Sequence, residues 1–485
     1  MALELPALPP IPESERTPLV EALLQIIDLQ QQRIAALEVR VSELESENAQ
    51  LKERISRLEK NSSNSSKPPS SDITKPKEEQ RQPGKRKIGA QPGHKANWRR
   101  EFRPDEIDRR KKLKLSQCPE CSTKLQPSED AIIHHQAELV KKPVIVTEYQ
   151  LHGGHCPCCN KTVYPALPQG VIPGQLLGPR IISLFGYMKA AMGVSISELA
   201  EFSRDVLKLD ICRGAVQNAI FQVSDALKPA YEELAQAVPA QKALHIDETG
   251  WKENGKRQWV WLFCNQVIAF FVISKSRGCQ VLKEILGENF LGALTSDFFS
   301  AYTKYASPKQ QFCLAHLIRE LKFLITLPAE EPKRFGRRLL VYMRRLFKLW
   351  HARREYPPDL WNKKTARFKR DLQRYLFSQR FQKGTDAHRI QRRFIKHWSA
   401  LFRFLEQPEL YEPTNNRAER TLRPLVRLRR ISQGSRGKTG SEWTARAASI
   451  VATCRIQKRS LWMFFQSAVY ANAFADLPPS LTVAP

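Results

Sequence analysis

Two aspartates lie where apolar strands should end, a position that suits carboxylates meant to hold a cation. Asp247 is at the end of the first of four apolar, β-rich runs (ALHIDETGW, RQWVWLFC, VIAFFVIS and ALTSDFF), and Asp297 is at the end of the fourth. Burying an unpaired carboxylate costs several kcal/mol, so each should face water or a cation. On a strand, His245 and Asp247 share one face, whereas Glu248 should point to the other.

A third carboxylate, Glu419, belongs to the segment TNNRAERTLRP. Asn415 and Asn416 are good helix N-caps, so Glu419 should lie on a helical turn that Pro424 interrupts. Three carboxylates from two strands and a helix would supply the oxygen ligands that Mg²⁺ or Mn²⁺ prefers. Two such ions about 4 Å apart can activate the attacking oxygen and stabilise the leaving one in phosphoryl displacement. The pattern therefore predicts metal-dependent phosphoryl transfer.

Two C-x-x-C pairs, separated by 34 residues, predict a zinc ribbon. The predicted zinc ligands are Cys118, Cys121, Cys156 and Cys159. A β-hairpin with KPVIVTEYQLHG as one strand should project between the pairs, and Cys158 should point away from the metal. The alternatives are a redox dithiol pair and ligation by one of three histidines, His134, His135 or His155.

The elements that must position these residues begin with a heptad repeat over residues 19–60. Leucines recur at d and β-branched residues at a, with Asn48 at one a position, which favours a parallel two-stranded coiled coil. All four g-to-e pairs are opposite in sign. We therefore expect a homodimer or higher oligomer through this segment. An amphipathic helix packed on its own chain is the alternative.

A Ser-, Pro- and Gly-rich linker follows over residues 61–104. Its basic half could follow a phosphate backbone, with contacts from Lys85, Arg86, Lys87 and Lys95. A solvated tether is the equal alternative.

Residues 168–240 should be helical. Ser195 and Glu198 form a capping-box pattern that opens a helix through Val206, and a second helix follows after a short turn. Two helices so joined could be a DNA-binding helix-turn-helix, but ordinary helix packing explains the pattern at least as well.

A basic segment separates the second carboxylate from the third. From Lys333 to Arg403 there are 22 Lys or Arg residues and four acidic ones, with aromatic residues between them. This composition predicts a helical, DNA-contacting insertion over residues 328–410. The alternative is a solvated basic helical face.

The whole chain is strongly basic. It has 78 Lys and Arg against 49 Asp and Glu, a net charge of +29, which indicates a polyanionic partner. No run of 18 apolar residues and no signal-peptide pattern occurs, so neither a membrane-spanning nor a secreted protein is expected. We expect a cytoplasmic, nucleoid-associated protein.

In that setting the motifs HIDETGW, TSDFFSAY, CLAHLIRE and NNRAERTLRP occur in order after a leucine-zipper segment, the tract NSSNSSKPPSSD, the element QPGHK and the cysteine pairs. Over residues 20 to 470 the chain resembles transposases of bacterial insertion-sequence family 66. The resemblance implies an RNase H-like core with a DDE triad, which falls on Asp247, Asp297 and Glu419. It also implies that His316 lies beside the active site as a candidate DNA or phosphate contact, and it implies two small accessory proteins as partners.

Three arginines belong to the same motifs and are candidate phosphate contacts: Arg319, Arg420 and Arg423. The alternatives are a histidine packed at a strand-to-helix junction and arginines that only orient the glutamate. The glycine-rich loop after Pro424 has no Walker sequence, so nucleotide hydrolysis is not expected.

These observations together predict a transposase that binds terminal repeats, cleaves a DNA strand and joins the freed 3′-hydroxyl to target DNA without a covalent protein intermediate. One rival is a non-catalytic, zinc-containing, coiled-coil dimeric regulator that binds DNA. A decayed or repurposed copy that keeps the fold is another.

The predicted fold class is an α/β catalytic core, a mixed RNase H-like sheet with a helical insertion, preceded by a coiled coil, a zinc ribbon and a helical segment. The predicted division is a coiled coil at 19–60, a linker at 61–104, a ribbon at 105–167, a helical segment at 168–240, the core at 241–327 and 411–457, the insertion at 328–410 and a tail at 458–485.

Overall fold

The computed structural model describes residues 12, 16–61, 63–65, 102–113, 116–117, 119–124, 133–140, 142–305 and 309–482. It opens with one 41-residue helix, α1 (Pro18–Leu58), whose N-cap Thr17 accepts a hydrogen bond from the Val20 amide at 3.4 Å. No residue of α1 is buried, and Leu23, Leu37, Leu44 and Leu51 remain about half exposed. The predicted helix is present, and its apolar stripe is uncovered in the single chain.

A short antiparallel pair lies in the cysteine-containing region. Strand β1 (Gly154–Cys156) pairs with β2 (Lys161–Val163), so the second C-x-x-C pair occupies the turn of this hairpin. The expected strand over residues 142–153 is wrong, because these described residues have no β-partner and extend into solvent, with Ile145 90% exposed. A strand needs a neighbour for its hydrogen bonds, and this segment has none among the described residues.

Four helices follow: α2 (Pro179–Tyr187), α3 (Ile196–Asp205), α4 (Arg213–Ala226) and α5 (Lys228–Ala237), with a π-helical turn at Met188–Met192 after α2. The predicted capping box is present, since the Ser195 hydroxyl accepts from the Glu198 amide and Glu198 accepts from the Ser195 amide. Helix α4 packs on α2 through buried Val216, Ile220 and Val223.

The centre of the molecule is a five-stranded sheet with the order β5-β4-β3-β6-β7. Its strands are β3 (Ala243–Glu253), β4 (Lys256–Cys264), β5 (Ala269–Ser274), β6 (Ala293–Ser296) and β7 (Gln310–Phe312). The first three form an antiparallel meander, and β6 and β7 add to it in parallel. Helix α6 (Gln280–Leu286) connects β5 to β6, α7 (Ser300–Tyr305) connects β6 to β7, and α8 (Leu314–Thr326) follows β7. The mixed sheet with helices confirms an α/β core.

The basic segment is helical, as predicted. It contains α9 (Glu330–His351), α10 (Pro358–Ser378), α11 (Asp386–Lys396) and α12 (Trp398–Phe402). The aromatic residues between its charges are not free to contact DNA, because Trp350, Trp361 and Phe368 are buried in one hydrophobic cluster with α8. The apolar face forms a core, and the cations lie mainly on the opposite faces.

The chain ends in three helices, α13 (Asn416–Ser432), α14 (Lys438–Ile456) and α15 (Leu461–Phe474). The expectation that Pro424 interrupts the helix is wrong, because α13 continues for eight residues beyond it. Leu422 and Leu425 are buried against the sheet, and this packing holds the helix although the proline removes one hydrogen bond.

Helices α14 and α15 complete the packing around the sheet. α14 covers β5, and α15 packs on α2 and α4, so one hydrophobic cluster joins the helical segment, the sheet and the end of the chain. None of the described helices is both long and apolar enough to cross a membrane.

Candidate active site

The two aspartates come from neighbouring parallel strands. The ladder between β3 and β6 ends with His245 opposite Thr295, and Asp247 and Asp297 each lie two residues further along. Because parallel strands keep this register, their carboxylates emerge at the same edge of the sheet. Asp297 directly follows β6, as predicted. The prediction that Asp247 ends its strand is wrong, because β3 continues for six residues beyond it and pairs with β4 there.

Each aspartate is fixed by one backbone amide. The Glu248 amide donates to Asp247 Oδ1 at 2.9 Å, and the Phe299 amide donates to Asp297 Oδ1 at 2.8 Å. Burial raises the pKa of Asp247 well above its usual range, and nearby carboxylates raise it further. Burial, followed by the charge of Glu248, raises the pKa of Asp297 to about 7. Two buried carboxylates with little compensation are strongly biased towards binding a cation or a proton.

Glu419 enters the site on the first turn of α13, and Asn415 fixes the start of that helix. The sequence predicted that the Asn415 side chain caps α13. That prediction is wrong, because the side chain makes no capping hydrogen bond. Its Nδ2 donates to the Ile246 carbonyl at 2.7 Å, and its Oδ1 lies 3.1 Å from His245 Nδ1. The Asn415 amide donates to Cys313 Sγ at 3.1 Å. Asn415 therefore ties the helix to β3, which explains why a polar residue is 1% exposed here.

Two side chains of α8, Arg319 and His316, lie next to Glu419. Its Oε1 is 3.5 Å from Arg319 Nη2 and 3.8 Å from His316 Nε2. Burial, with a smaller effect from Arg319, lowers the pKa of His316 to about 4, so the imidazole is neutral at pH 7. Its Nδ1 is buried and has no hydrogen-bond partner in the described part of the chain. His316 and Arg319 thus lie beside the glutamate rather than away from the site.

The three carboxylates line one cavity of about 770 Å³. Seven arginines line it as well: Arg277, Arg319, Arg420, Arg423, Arg427, Arg429 and Arg430. Arg420 and Arg423, predicted as phosphate contacts, are among the five from α13. The cavity therefore combines carboxylates with arginines that come mainly from α13, which suits a phosphate held next to a cation.

A fourth carboxylate in this cavity was missed from the sequence. Glu248 was expected to point away, but it lines the same cavity as Asp247. The β3–β6 ladder stops at His245, so the edge of β3 beyond it is open and both side chains reach the cavity. Glu248 is nearly buried and accepts hydrogen bonds from Arg277 and Tyr302. The only feature of the sequence that could have indicated a role for Glu248 is its position directly after Asp247.

The donor set matches a hard divalent cation in chemistry. Asp247, Asp297 and Glu419 offer carboxylate oxygens, and the raised pKa values of the aspartates show buried negative charge that a cation would offset. Across the described residues, no three His, Cys, Asp or Glu side chains are already spaced as ligands of one ion. Glu419 is engaged by Arg319, with 3.5 Å between Arg319 Nη2 and Glu419 Oε1.

Several predicted residues lie outside the described part of the chain. They are Cys118 of the first C-x-x-C pair and the linker cations Lys85, Arg86, Lys87 and Lys95. Of the other predicted zinc ligands, Cys121, Cys156 and Cys159 are described, and hydrogen bonds from Cys159 and Cys158 lower the pKa of the Cys156 thiol. The zinc ribbon stays a prediction.

Comparisons with known proteins identify a family for most of the folded core. The chain matches the model described as "Transposase IS66 family" over residues 174–443, a little over half its length and the part that carries all three carboxylates. Residues 5–100 match a family of unknown function, DUF6444. No curated protein matches the chain. The match over residues 174–443 shows that this chain belongs to the IS66 family of transposases.

Proposed function

We propose that this transposase cleaves DNA at the ends of an insertion sequence and transfers the freed 3′-hydroxyl to target DNA, with Asp247, Asp297 and Glu419 as its catalytic carboxylates. One observation carries the proposal. The three residues, separated by up to 172 positions, line a single cavity that seven arginines also line. A phosphodiester in that cavity would meet cation ligands on one side and guanidinium groups on the other.

The division of labour follows from the two sides of the cavity. When bound, Mg²⁺ or Mn²⁺ supplies Lewis acidity to the attacking and leaving oxygens. Asp247 and Asp297, held by backbone amides, would bind that cation, and Glu419 would complete its ligand set. The arginines of α13 would hold the phosphate in line for attack. Neutral His316, with a buried and unpaired Nδ1, would accept or donate a hydrogen bond next to Glu419.

The rest of the molecule would hold and pair the DNA. The basic faces of α9 to α11 lie on the chain between Asp297 and Glu419 and would contact the DNA backbone outside the cavity. The uncovered apolar stripe of α1 supports parallel self-association, which would bring two active sites to the two ends of the element. Zn²⁺ held by Cys118, Cys121, Cys156 and Cys159 would stiffen the DNA-binding ribbon. The helical segment, the linker cations and the two accessory proteins would serve recognition at the nucleoid.

The test is single-turnover cleavage of a duplex that carries the ends of the element encoding this chain. Asp247→Asn, Asp297→Asn and Glu419→Gln should each slow Mg²⁺-dependent cleavage about a thousandfold, because each loses several kcal/mol of transition-state stabilisation. Binding of the same duplex in Ca²⁺ should change by no more than about threefold.

The matched control is Glu288→Gln, an exposed carboxylate paired with Lys283 outside the cavity. This variant should cleave like the wild type. Cleavage that survives all three cavity variants would reject the triad. A wild-type protein that binds the duplex with no cleavage under any metal condition would favour the non-catalytic regulator.

A further inference from the structure

Arg277 lies on the loop between β5 and α6, at the rim of the cavity, and its side chain is fixed from three directions. Its guanidinium carbon is 3.9 Å from the centre of the Phe299 ring and 4.3 Å from that of Trp259. Its Nη2 and Nε donate to Glu248 Oε1 at 2.7 and 3.1 Å. The loop itself is held because Trp261 Nε1 donates to the Ser276 carbonyl at 3.0 Å. An arginine held on both faces and one edge is pre-organised.

Two of the residues that contact Arg277, Glu248 and Phe299, also donate the backbone hydrogen bonds that fix Asp247 and Asp297. Glu248, whose side chain contacts Arg277, donates its backbone amide to Asp247. Phe299, whose ring stacks on the guanidinium, donates its backbone amide to Asp297. One side chain therefore links the two residues that fix Asp247 and Asp297, although Glu248 lies on β3 and Phe299 lies between β6 and α7.

Glu248 is committed to this arrangement. Its side chain is only 2% exposed, its Oε1 accepts from Arg277, and its Oε2 accepts from the hydroxyl of fully buried Tyr302. The Tyr302 ring packs edge-on against Trp261 and Phe299, which fixes the hydroxyl. With both oxygens occupied, Glu248 is better suited to holding Arg277 than to binding a cation.

We propose that Arg277, together with Glu248 and Tyr302, is a positioning clamp that sets the separation and orientation of Asp247 and Asp297 for cation binding. The clamp rests on the function proposed above, since it acts on the same two aspartates. Such outer residues typically change metal affinity or activity 10- to 100-fold when they are altered. A planar guanidinium is required, because an ammonium group cannot stack on Phe299 and Trp259 while donating twice to one carboxylate.

The test uses the full-length protein with Arg277→Gln, Arg277→Lys and Glu248→Gln. Mn²⁺ affinity is measured without DNA by the electron paramagnetic resonance signal of unbound Mn²⁺, and single-turnover cleavage is measured at saturating Mn²⁺. All three variants should weaken Mn²⁺ binding about tenfold or more and slow cleavage by about 10- to 100-fold. DNA affinity in Ca²⁺ should stay within about twofold. Lys283→Gln and Glu288→Gln, an exposed pair outside the cavity, are the matched controls and should behave like the wild type.

Two results would overturn the clamp. One is unchanged Mn²⁺ affinity in Arg277→Gln. The other is a loss of DNA affinity in Arg277→Gln that Arg277→Lys restores and Glu248→Gln does not share, which would make Arg277 a direct phosphate contact. If Arg277→Gln fails to fold, Tyr302→Phe removes a single hydroxyl and should weaken Mn²⁺ binding in the same direction.

The outcomes also separate this inference from the proposed function. If the wild type cleaves and the clamp variants cleave equally well with the same Mn²⁺ affinity, only the clamp is wrong. If the wild type binds Mn²⁺ and the variants bind it weakly while no protein cleaves DNA, the clamp stands and the proposed reaction fails.

Discussion

The two sides of the cavity are built on opposite principles. The aspartate wall, formed by Asp247 within β3 and Asp297 directly after β6, belongs to the sheet, and both of its carboxyl groups are buried. The glutamate wall, formed by Glu419 and the α13 arginines, is a helix face on which the one carboxylate is already matched by Arg319. The aspartate wall therefore requires a bound cation to offset its carboxylates, whereas the glutamate wall carries arginines that can bind an anion. A phosphodiester with divalent cations satisfies both walls at once.

The walls also differ in how they are fixed. Backbone amides and the register of the sheet fix the positions of Asp247 and Asp297, so these side chains have little freedom to move. Glu419 depends on where a helix starts, and Asn415 alone ties that start to β3 through its side chain. We infer that the aspartate wall is the rigid part of the site and that the glutamate wall is the part able to adjust when substrate and cations bind.

The largest effect that tests this comparison is the pH dependence of stability from Asp297. Its pKa is about 7 in the folded protein, above the ordinary 3.8, so the folded state holds a proton that the unfolded state has lost. Its contribution to stability is therefore present at low pH and is lost as the pH rises from about 4 to about 7. Since each tenfold change in proton affinity is worth about 1.4 kcal/mol, the loss is about 4 kcal/mol.

Asp297→Asn removes this titration. In urea unfolding without added Mg²⁺ or Mn²⁺, the variant should gain about 4 kcal/mol relative to the wild type between pH 4 and pH 7, and nothing more above pH 7. Adding Mn²⁺ at pH 8 should reduce the gap, because only the wild type keeps both aspartate ligands. A gap that is the same at every pH would mean that the aspartate wall is not under electrostatic strain.

The part of this site that could be read from the sequence is the part determined by local patterns. Apolar, β-rich runs predict the strand that carries Asp247 and the strand that Asp297 follows, although not where the first of them ends, and the capping box at Ser195 predicts a helix start. Both depend on neighbours a few residues away. The helical nature of the insertion follows in the same way from its periodic apolar residues.

The features that were missed depend on contacts between distant residues. Arg277 meets Glu248 across 29 positions, and Asn415 meets Ile246 across 169. Asn415 has an ordinary preference for capping, and tertiary contact with β3 overrides it. Likewise, burial of Leu422 and Leu425 keeps α13 helical through Pro424, and the aromatic residues of the basic insertion, such as Trp361, are buried in its core.

The next largest effect is a pH dependence of stability that comes from His316, beside Glu419. Its sign is opposite to that of Asp297, because stability is lost as the pH falls. The pKa of His316 is about 4 in the folded protein, below the ordinary 6.5, so the unfolded state binds a proton that the folded state does not. Its contribution to stability is complete above about pH 6.5 and is lost as the pH falls to about 4, a change of about 3 kcal/mol.

His316→Asn should remove that loss, so the variant gains relative to the wild type as the pH falls, whereas Asp297→Asn gains as the pH rises. The two variants, measured by urea unfolding in the same buffers, are each other's control. If both curves shift in the same direction, the two walls do not differ in the way the structure indicates.

The smallest effect concerns what holds the glutamate wall in place. Pro424 lies on the exposed side of α13 and cannot donate a hydrogen bond to the Arg420 carbonyl. Pro424→Ala should stabilise the protein by about 2 kcal/mol, since the restored helical bond and better propensity exceed the entropy gained by the unfolded chain. Pro358→Ala is the matched control, because Pro358 is the first residue of α10, where no such bond is possible, and it should give no comparable gain.

The cleavage rate of Pro424→Ala tests whether Asn415 or Pro424 positions Glu419. The glutamate lies one turn before the restored bond, and Asn415 ties that turn to β3 independently of Pro424. We therefore expect single-turnover cleavage to change by less than about threefold while thermal stability rises. A stabilised protein with strongly reduced cleavage would show instead that the bend at Pro424 sets the glutamate wall, and Asn415 would then be only one of two anchors.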